Sequence, residues 1–283
     1  MLIGPVYGRV FTREGAILAA AAFFAFAFAS SACYVINDIL DAGADKAHPR
    51  KRNRPIAAGR IPVGHAYAFF LVLLALAIGM VMLIPPGIDG AGPRTLVGLC
   101  VGMYVANVLA YSAFLKTRMV ADVISLSLGF VLRVLGGCAA VSVIPSPWLL
   151  NVTFFLSMFL AFGKRLGERR SLGATAATAR TVHSRYTDEL LRMLVVVTGV
   201  AALLIYAVYV QDQAMHYTHG FNLLWLTMLP ATYGLMRAMV KVETGAYDDP
   251  TEMAIRDRPT QAAGAVFVAL TVALLLWRVK ENM

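Results

Sequence analysis

Charge is scarce in this sequence. Of its 283 residues only 14% are Asp, Glu, Lys or Arg, against roughly a quarter in an average soluble domain, and 59% are hydrophobic. That composition excludes an ordinary water-soluble globule. Cysteine is almost absent: Cys33, Cys100 and Cys138 all fall within apolar runs. They lack the spacing of a disulfide framework or a thiolate metal site and read as small hydrophobes. No basic stretch followed by a short apolar core opens the chain, so no cleavable signal peptide is expected. Acidic residues are the rarer sign, 16 against 25 Lys and Arg, for a net charge of +9.

What fills the sequence instead is a succession of apolar runs of about 20 residues, each long enough to cross a bilayer. Backbone polar groups must be satisfied inside lipid, so the runs are helices. Eight spans are expected, at 16–36, 62–84, 95–114, 120–141, 147–163, 189–210, 221–240 and 261–279. Pro85, Pro86, Pro145, Pro147 and Pro259 punctuate their boundaries. The fold class is all-α, a polytopic bundle of transmembrane helices, read as one integral membrane domain over 1–283. Connections at 37–61, 114–119, 164–188 and 237–260 hold 6, 2, 6 and 4 Lys/Arg; those at 85–94, 142–146 and 211–220 hold 1, 0 and 0. The positive-inside rule puts the first set in the cytoplasm. These cations lie on short loops between spans, so nucleic acid is not an expected partner. His216 and His219 are close in sequence but lie on an outer loop without carboxylates, and no metal site is expected there.

The scarce charge is concentrated. NDILDAGADKAHPRKRNRPIAAG, residues 37–59, closes the first span with Asn37, Asp38, Asp41 and Asp45, then crowds Lys46, His48, Arg50, Lys51, Arg52 and Arg54 together. If the helix continues, the three aspartates at i, i+3 and i+7 share one face over about 10 Å. Aligned carboxylates repel unless a cation neutralises them. An open set of hard oxygen ligands suits Mg²⁺, which keeps waters and takes substrate phosphates as further ligands. Cations beside such a site point to a phosphorylated ligand shared between metal and side chains. A solvated loop obeying the positive-inside rule explains the Lys and Arg but not the aligned aspartates.

Two further spans carry polar faces. Tyr104, Asn107 and Tyr111 repeat at i, i+3 and i+7, either as interhelical hydrogen bonds or as ligand contacts. At Tyr111, near the cytoplasmic end, ligand contact is favoured. Lys116 and Arg118 follow. Asp122, Ser125, Gly129 and Arg133 then share a face of the next span, with Arg133 roughly 15 Å or more beyond Asp122. An arginine at that depth needs a polar cavity or an anion. It reads as a structural ion pair with a neighbouring helix or as a ligand of a lipid phosphate.

N-D-x-x-D-x-x-x-D at the end of a span resembles the first aspartate motif of the UbiA-type membrane prenyltransferase superfamily. HPRKRNRPIAAG is similar to one branch, the decaprenyl-phosphate phosphoribosyltransferases. So are YSAFLKTRMVADVISLSLGFVLRVLGG, GKRLGERRSLG, SRYTDELLRML and DDPTEMAIRDRP, across most of the chain. The resemblance implies a UbiA-like bundle around a cavity open to the cytoplasm and to lipid, in a bacterial inner membrane. The superfamily usually has nine spans. MLIGPVYGRVFTREG is too short and broken to span, so the first family helix is expected to be truncated and about eight spans visible.

The aromatic prenyltransferases of the superfamily carry a second aspartate motif near 164–170. Here KRLGERR stands in its place. One carboxylate cluster holds one metal–diphosphate; added cations hold another phosphate directly. Phosphoribosyl diphosphate (PRPP) has those two anionic ends, and a polyprenyl diphosphate has not. The resemblance thus implies a Mg²⁺-dependent enzyme moving 5-phosphoribosyl from PRPP to a polyprenyl phosphate such as decaprenyl phosphate, releasing pyrophosphate, in a route to cell-wall arabinan. Asp38, Asp41 and Asp45 are expected on the metal. Lys51, Arg54 and Lys116 are expected on diphosphate or ribose, Asn37 to add a neutral carbonyl or bond a phosphate oxygen, and Tyr111 to touch the substrate; Lys164 and Arg165 are expected on the 5-phosphate, with Glu168 orienting them or bonding a ribose hydroxyl. Arg133 is assigned to the lipid phosphate, and Asp122 to the charge developing on ribose. An oligomer is compatible with this reading. The alternatives are a polyprenyl transfer to an aromatic acceptor, against which KRLGERR argues, and a transporter, for which no inverted repeat is visible.

Overall fold

The computed structural model describes residues 12–47, 51–87, 92–172, 186–214, 221–245 and 250–281. His216, His219, His48 and Arg50 lie outside them, and so does the Lys51 side chain. Nine helices follow one another among the described residues: α1 (Arg13–Ala47), α2 (Val63–Met82), α3 (Pro93–Ala113), α4 (Ala121–Ala140), α5 (Pro147–Leu172), α6 (Asp188–Asp212), α7 (Met228–Glu243), α8 (Pro250–Arg256) and α9 (Arg258–Glu281). Seven stretches are long and apolar enough to cross a membrane, the last being a 3₁₀ turn (Leu223–Thr227) run on into α7. The eighth expected span is α9, whose qualifying apolar part is shorter, Arg258–Leu274. The chain is a multi-pass membrane bundle, as its apolar runs predict.

Helix ends follow local chemistry. Pro93 and Pro147 open α3 and α5, where a missing N–H costs nothing. Thr187 caps α6 by accepting from the Leu190 N–H at 3.1 Å, with Asp188 and Glu189 in the positive first turn. Gly245 ends the run of α7 at φ +65°, a conformation glycine takes freely. Two helices outrun their apolar stretches. α1 continues from its span through Asp45 to Ala47, and α5 continues through KRLGERR to Leu172. Both candidate charge clusters therefore stand on rigid helix rather than loop.

The chain divides into two compact units, residues 1–116 with 128–145, and 117–127 with 146–283. Helix α4 gives its first residues, through Ser127, to the second unit and the remainder to the first. In the first unit, Ala22, Ala25 and Ala29 of α1 are fully buried. Small residues let neighbouring backbones approach, which matters where lipid removes the hydrophobic drive between helices. They pack with Phe26, Ala77, Val81, Val97, Val101 and Leu132. A Cβ at Gly136 would meet the Phe26 ring at 2.4 Å, so that glycine is required by α1. In the second unit Phe162, Leu166, Leu191, Val195, Leu235 and Val242 join α5, α6 and α7. The Tyr206 and Thr227 hydroxyls are hydrogen-bonded at 2.6 Å beside a smaller cluster that includes Leu274 of α9.

Candidate functional site

Continuation of α1 past the span keeps Asp38, Asp41 and Asp45 on one helical face, as their spacing requires. The side chains of Asp38 and Asp41 are 33% and 26% exposed, whereas Asp45 is buried. Arg54 arrives from the connection after α1. A hydrogen-bonded turn fixes that connection: Ala58 N–H donates to the Arg54 carbonyl at 2.8 Å and Arg60 N–H to that of Pro55 at 2.9 Å. Gly59 turns the chain at φ +73°. One Arg54 nitrogen, Nη1, donates to Asp38 Oδ1 at 2.8 Å and to Asp45 Oδ2 at 2.9 Å. Lys116, on the 3₁₀ turn Leu115–Thr117, donates to Asp41 Oδ1 at 2.7 Å. Three carboxylates thus share two cations.

The sequence assigned Arg54 and Lys116 to a diphosphate; the structure has both on the aspartates. Among the described residues no three Asp, Glu, His or Cys side chains converge as a ready metal cage. Yet each of the three carboxylates keeps one oxygen outside these bonds, on a helix face with one negative charge in excess. All the donors are hard oxygens. That donor set fits a cation such as Mg²⁺, which needs only one or two carboxylates and completes its shell with water and phosphate. Asn37 and Tyr111 are partly buried and have no hydrogen-bond partner of their own among the described residues.

The same unit holds a second polar group. Arg133 Nη2 donates to the Tyr104 hydroxyl at 2.6 Å and lies 3.4 Å from Ser30 Oγ. Tyr104 donates to Ser30 Oγ at 3.0 Å. The guanidinium lies 4.6 Å from the Tyr104 ring centroid, a cation–π arrangement that suits a half-dry site. Ser30 precedes Asp38 by eight residues, about 12 Å along α1. Of the two readings of Arg133, the ion pair with a neighbouring helix is not found among the described residues. Its partners among the described residues are neutral, two hydroxyls and aromatic rings.

The second unit contains the other predicted residues, in a different arrangement. Asp122 is fully buried and Arg165 nearly so, with Arg165 Nη2 2.6 Å from Asp122 Oδ2. The contact is close but poorly aligned, and Arg165 Nε has no hydrogen-bond acceptor among the described residues. Asp122 Oδ1 accepts from Tyr186 Oη at 3.2 Å and from the Val123 N–H at 2.8 Å. Tyr186, 1% exposed, in turn accepts the Val120 N–H at 2.6 Å. Val120 stands at φ +64°, a strained setting for a β-branched residue. Burial pushes the Tyr186 phenol up to about 12, so it remains a neutral donor.

The sequence assigned Arg165 to a phosphate and Asp122 to a ribose; the structure has each buried as the other's counter-ion. Two charges removed from water hold together where a lone one would be intolerable. Lys164 is exposed and Glu168 partly buried on the same end of α5. Further along, Asp257 accepts from Thr260 N–H at 3.0 Å at the start of α9 and pairs with Arg237, while Arg170 and Arg192 share Glu243. These are ion pairs and caps that join helix ends. Ser30 and Tyr186 were missed from sequence. Ser30 stands eight residues before Asp38 on the same helical face, a periodic signal. Tyr186 lies 64 residues from Asp122 and gave none.

The sequence profile of the UbiA prenyltransferase family matches residues 7–254. The chain is 35% identical to "Decaprenyl-phosphate phosphoribosyltransferase" of Corynebacterium glutamicum over 259 residues, 92% of this chain and 76% of that protein. It is 31% identical to the protein of the same description from Mycobacterium tuberculosis over 250 residues, 88% of this chain and 78% of that one. Among solved structures, a UbiA homolog from Archaeoglobus fulgidus bound to GPP and Mg²⁺ superposes with a TM-score of 0.68 at 17% identity, covering 97% of this chain and 94% of that one. At that identity the match speaks for the fold alone.

Proposed function

Since the chain belongs to the UbiA prenyltransferase family, we propose that it transfers 5-phosphoribosyl from PRPP to a polyprenyl phosphate, decaprenyl phosphate in the first instance, and releases pyrophosphate. The observation that carries this reading is the half-exposed cluster of three aspartates answered by Arg54 and Lys116. Its hard oxygen donors beside two cations support a metal-bound diphosphate there. The 35% identity to a protein described as a decaprenyl-phosphate phosphoribosyltransferase supports the choice of branch.

In the reaction an oxygen of the polyprenyl phosphate attacks ribose C1 as the bond from C1 to the pyrophosphate oxygen breaks. The attacking oxygen is already ionised near neutral pH, since the second phosphate pKa is about 6, and no general base is required. Asp38, Asp41 and Asp45 would hold Mg²⁺, which when bound supplies neutralisation of charge on the leaving pyrophosphate. Arg54 and Lys116 lie against the same carboxylates and are placed to share phosphate oxygens with the metal. Asn37 and Tyr111 offer neutral hydrogen bonds, and Lys51 a further cation by its sequence position. By their motif alone, Lys164 and Glu168 are assigned the 5-phosphate and a ribose hydroxyl. Asp122 and Arg165, paired with each other and buried, are assigned to the scaffold. Catalysis is then positioning and electrostatic stabilisation. The excess of Lys and Arg on one set of connections supports a cytoplasmic site in a bacterial plasma membrane.

The test is purified protein in detergent with radiolabelled PRPP, Mg²⁺ and decaprenyl phosphate, followed by lipid extraction. Label enters the organic phase, and is lost with EDTA and in Asp38→Asn. Transfer from a polyprenyl diphosphate to an aromatic acid, with no label from PRPP, would sink the proposal.

A further inference from the structure

The polar face of α1 does not stop at Asp38. Ser30, Tyr34, Asp38, Asp41 and Asp45 recur at intervals of four, four, three and four, a single stripe about 22 Å long. Its deeper end is Ser30, already tied to Tyr104 and Arg133. Between that end and the aspartates stands Tyr34, 72% exposed within an apolar span. Its hydroxyl has no hydrogen-bond partner among the described residues, yet it lies within electrostatic reach of Tyr104. Arg133 has five donor hydrogens. Among the described residues only those of Nη2 are bonded, and no carboxylate pairs with it. An arginine that deep in a span requires an anion or water. Tyr34 on the stripe and Arg133 beside its deeper end are therefore two anion-seeking groups, a phenol without a hydrogen-bond partner and a guanidinium without a carboxylate among the described residues, one to two turns beyond the aspartates.

The spacing matches the chemistry of the proposed reaction. In a displacement at ribose C1 the attacking oxygen approaches to about 3–3.5 Å on the side opposite the leaving oxygen. The acceptor phosphate is then held about one helical turn from the pyrophosphate. Tyr34 precedes Asp38 by four residues, roughly 6 Å. We propose that Tyr34 donates a hydrogen bond to the phosphate of the polyprenyl phosphate acceptor, with Arg133 supplying the counter-charge from the deeper side. The inference rests on the phosphoribosyl reading and adds to it the residue that seats the lipid headgroup. It also gives Arg133 the anion that its span position demands, and leaves the polyprenyl chain to continue along the apolar length of α1.

An amphipathic ring near a span end is also explained by preference for the membrane interface. Phenylalanine keeps the ring and removes the hydroxyl, so Tyr34→Phe separates the two. In steady-state assays with PRPP and decaprenyl phosphate varied in turn, Tyr34→Phe loses about 10- to 100-fold in kcat/KM for decaprenyl phosphate, as for a lost hydrogen bond to a charged group. Its KM for PRPP stays within about threefold of the wild-type value, and Mg²⁺ with PRPP raises its unfolding temperature as it does that of the unsubstituted protein. Wild-type kinetics in Tyr34→Phe, or an equal loss for both substrates, overturns the assignment. An unsubstituted protein that puts no label from PRPP into lipid overturns the reading beneath it instead.

Discussion

Two of the clusters of Asp with Arg or Lys at helix ends hold predicted site residues, and they differ in two respects. On α1, three carboxylates share two cations, and the side chains of Asp38 and Asp41 are 33% and 26% exposed. Between α4 and α5, Asp122 and Arg165 balance one to one and are buried, with Tyr186 closing the remaining carboxylate oxygen. The first has charge left over and a surface on which to spend it. The second is neutral as a unit and sealed. Residue type alone would assign both to phosphate chemistry. On the proposed reading, charge balance and exposure separate a ligand site from scaffold, and each makes a distinct kind of mutant.

The largest effect is expected on the sealed side. Arg165→Ala leaves Asp122 buried without a counter-ion, at a cost of about 3–5 kcal/mol in stability. Thermal unfolding followed by fluorescence-detected gel filtration measures it. The double variant Asp122→Leu with Arg165→Met removes both charges and recovers most of that loss, since apolar replacement of a buried pair is often neutral. If the double variant stays folded but inactive, the pair touches substrate and the comparison fails. On the open side the pattern reverses. Asp38→Asn is expected to leave the unfolding midpoint nearly unchanged and to lower turnover about 100- to 1,000-fold, or ~3–4 kcal/mol of transition-state stabilisation. A loss of stability matching that of Arg165→Ala would mean that the aspartates, too, are scaffold.

The fold was largely legible because lipid leaves few options. Runs of about 20 apolar residues must be helices, and prolines mark their ends. The aspartate face was legible because its members lie within eight residues on one helix. What escaped was pairing between distant positions. Nothing in KRLGERR distinguishes Lys164, which is exposed, from Arg165, which turns inward to a carboxylate 43 residues earlier. That depends on the rotation of α5 against its neighbours, a property of packing rather than of motif. Ser30 and Tyr34 escaped for another reason. Their spacing was regular, but isolated hydroxyls in a span have ordinary explanations, and the contact of Ser30 with Arg133 joins residues 103 positions apart.

The smallest expected effect tests how Tyr186 serves the sealed cluster. Its hydroxyl accepts the N–H of strained Val120 and donates to Asp122. Tyr186→Phe leaves that N–H and one carboxylate position unanswered, for a loss of about 1–3 kcal/mol. The pH dependence carries the sharper signature. Burial raises the phenol from its ordinary value of about 10 to about 12. A group whose folded pKa lies above its unfolded one contributes stability that is complete below the unfolded value and lost as pH rises toward the folded one. The unsubstituted protein should therefore lose stability between about pH 10 and about pH 12 through this residue. Tyr186→Phe should lose less over the same interval, so that the two unfolding midpoints converge as the pH is raised. Parallel curves would mean that the phenol is not sealed, and the distinction between the closed cluster and the open one would narrow accordingly.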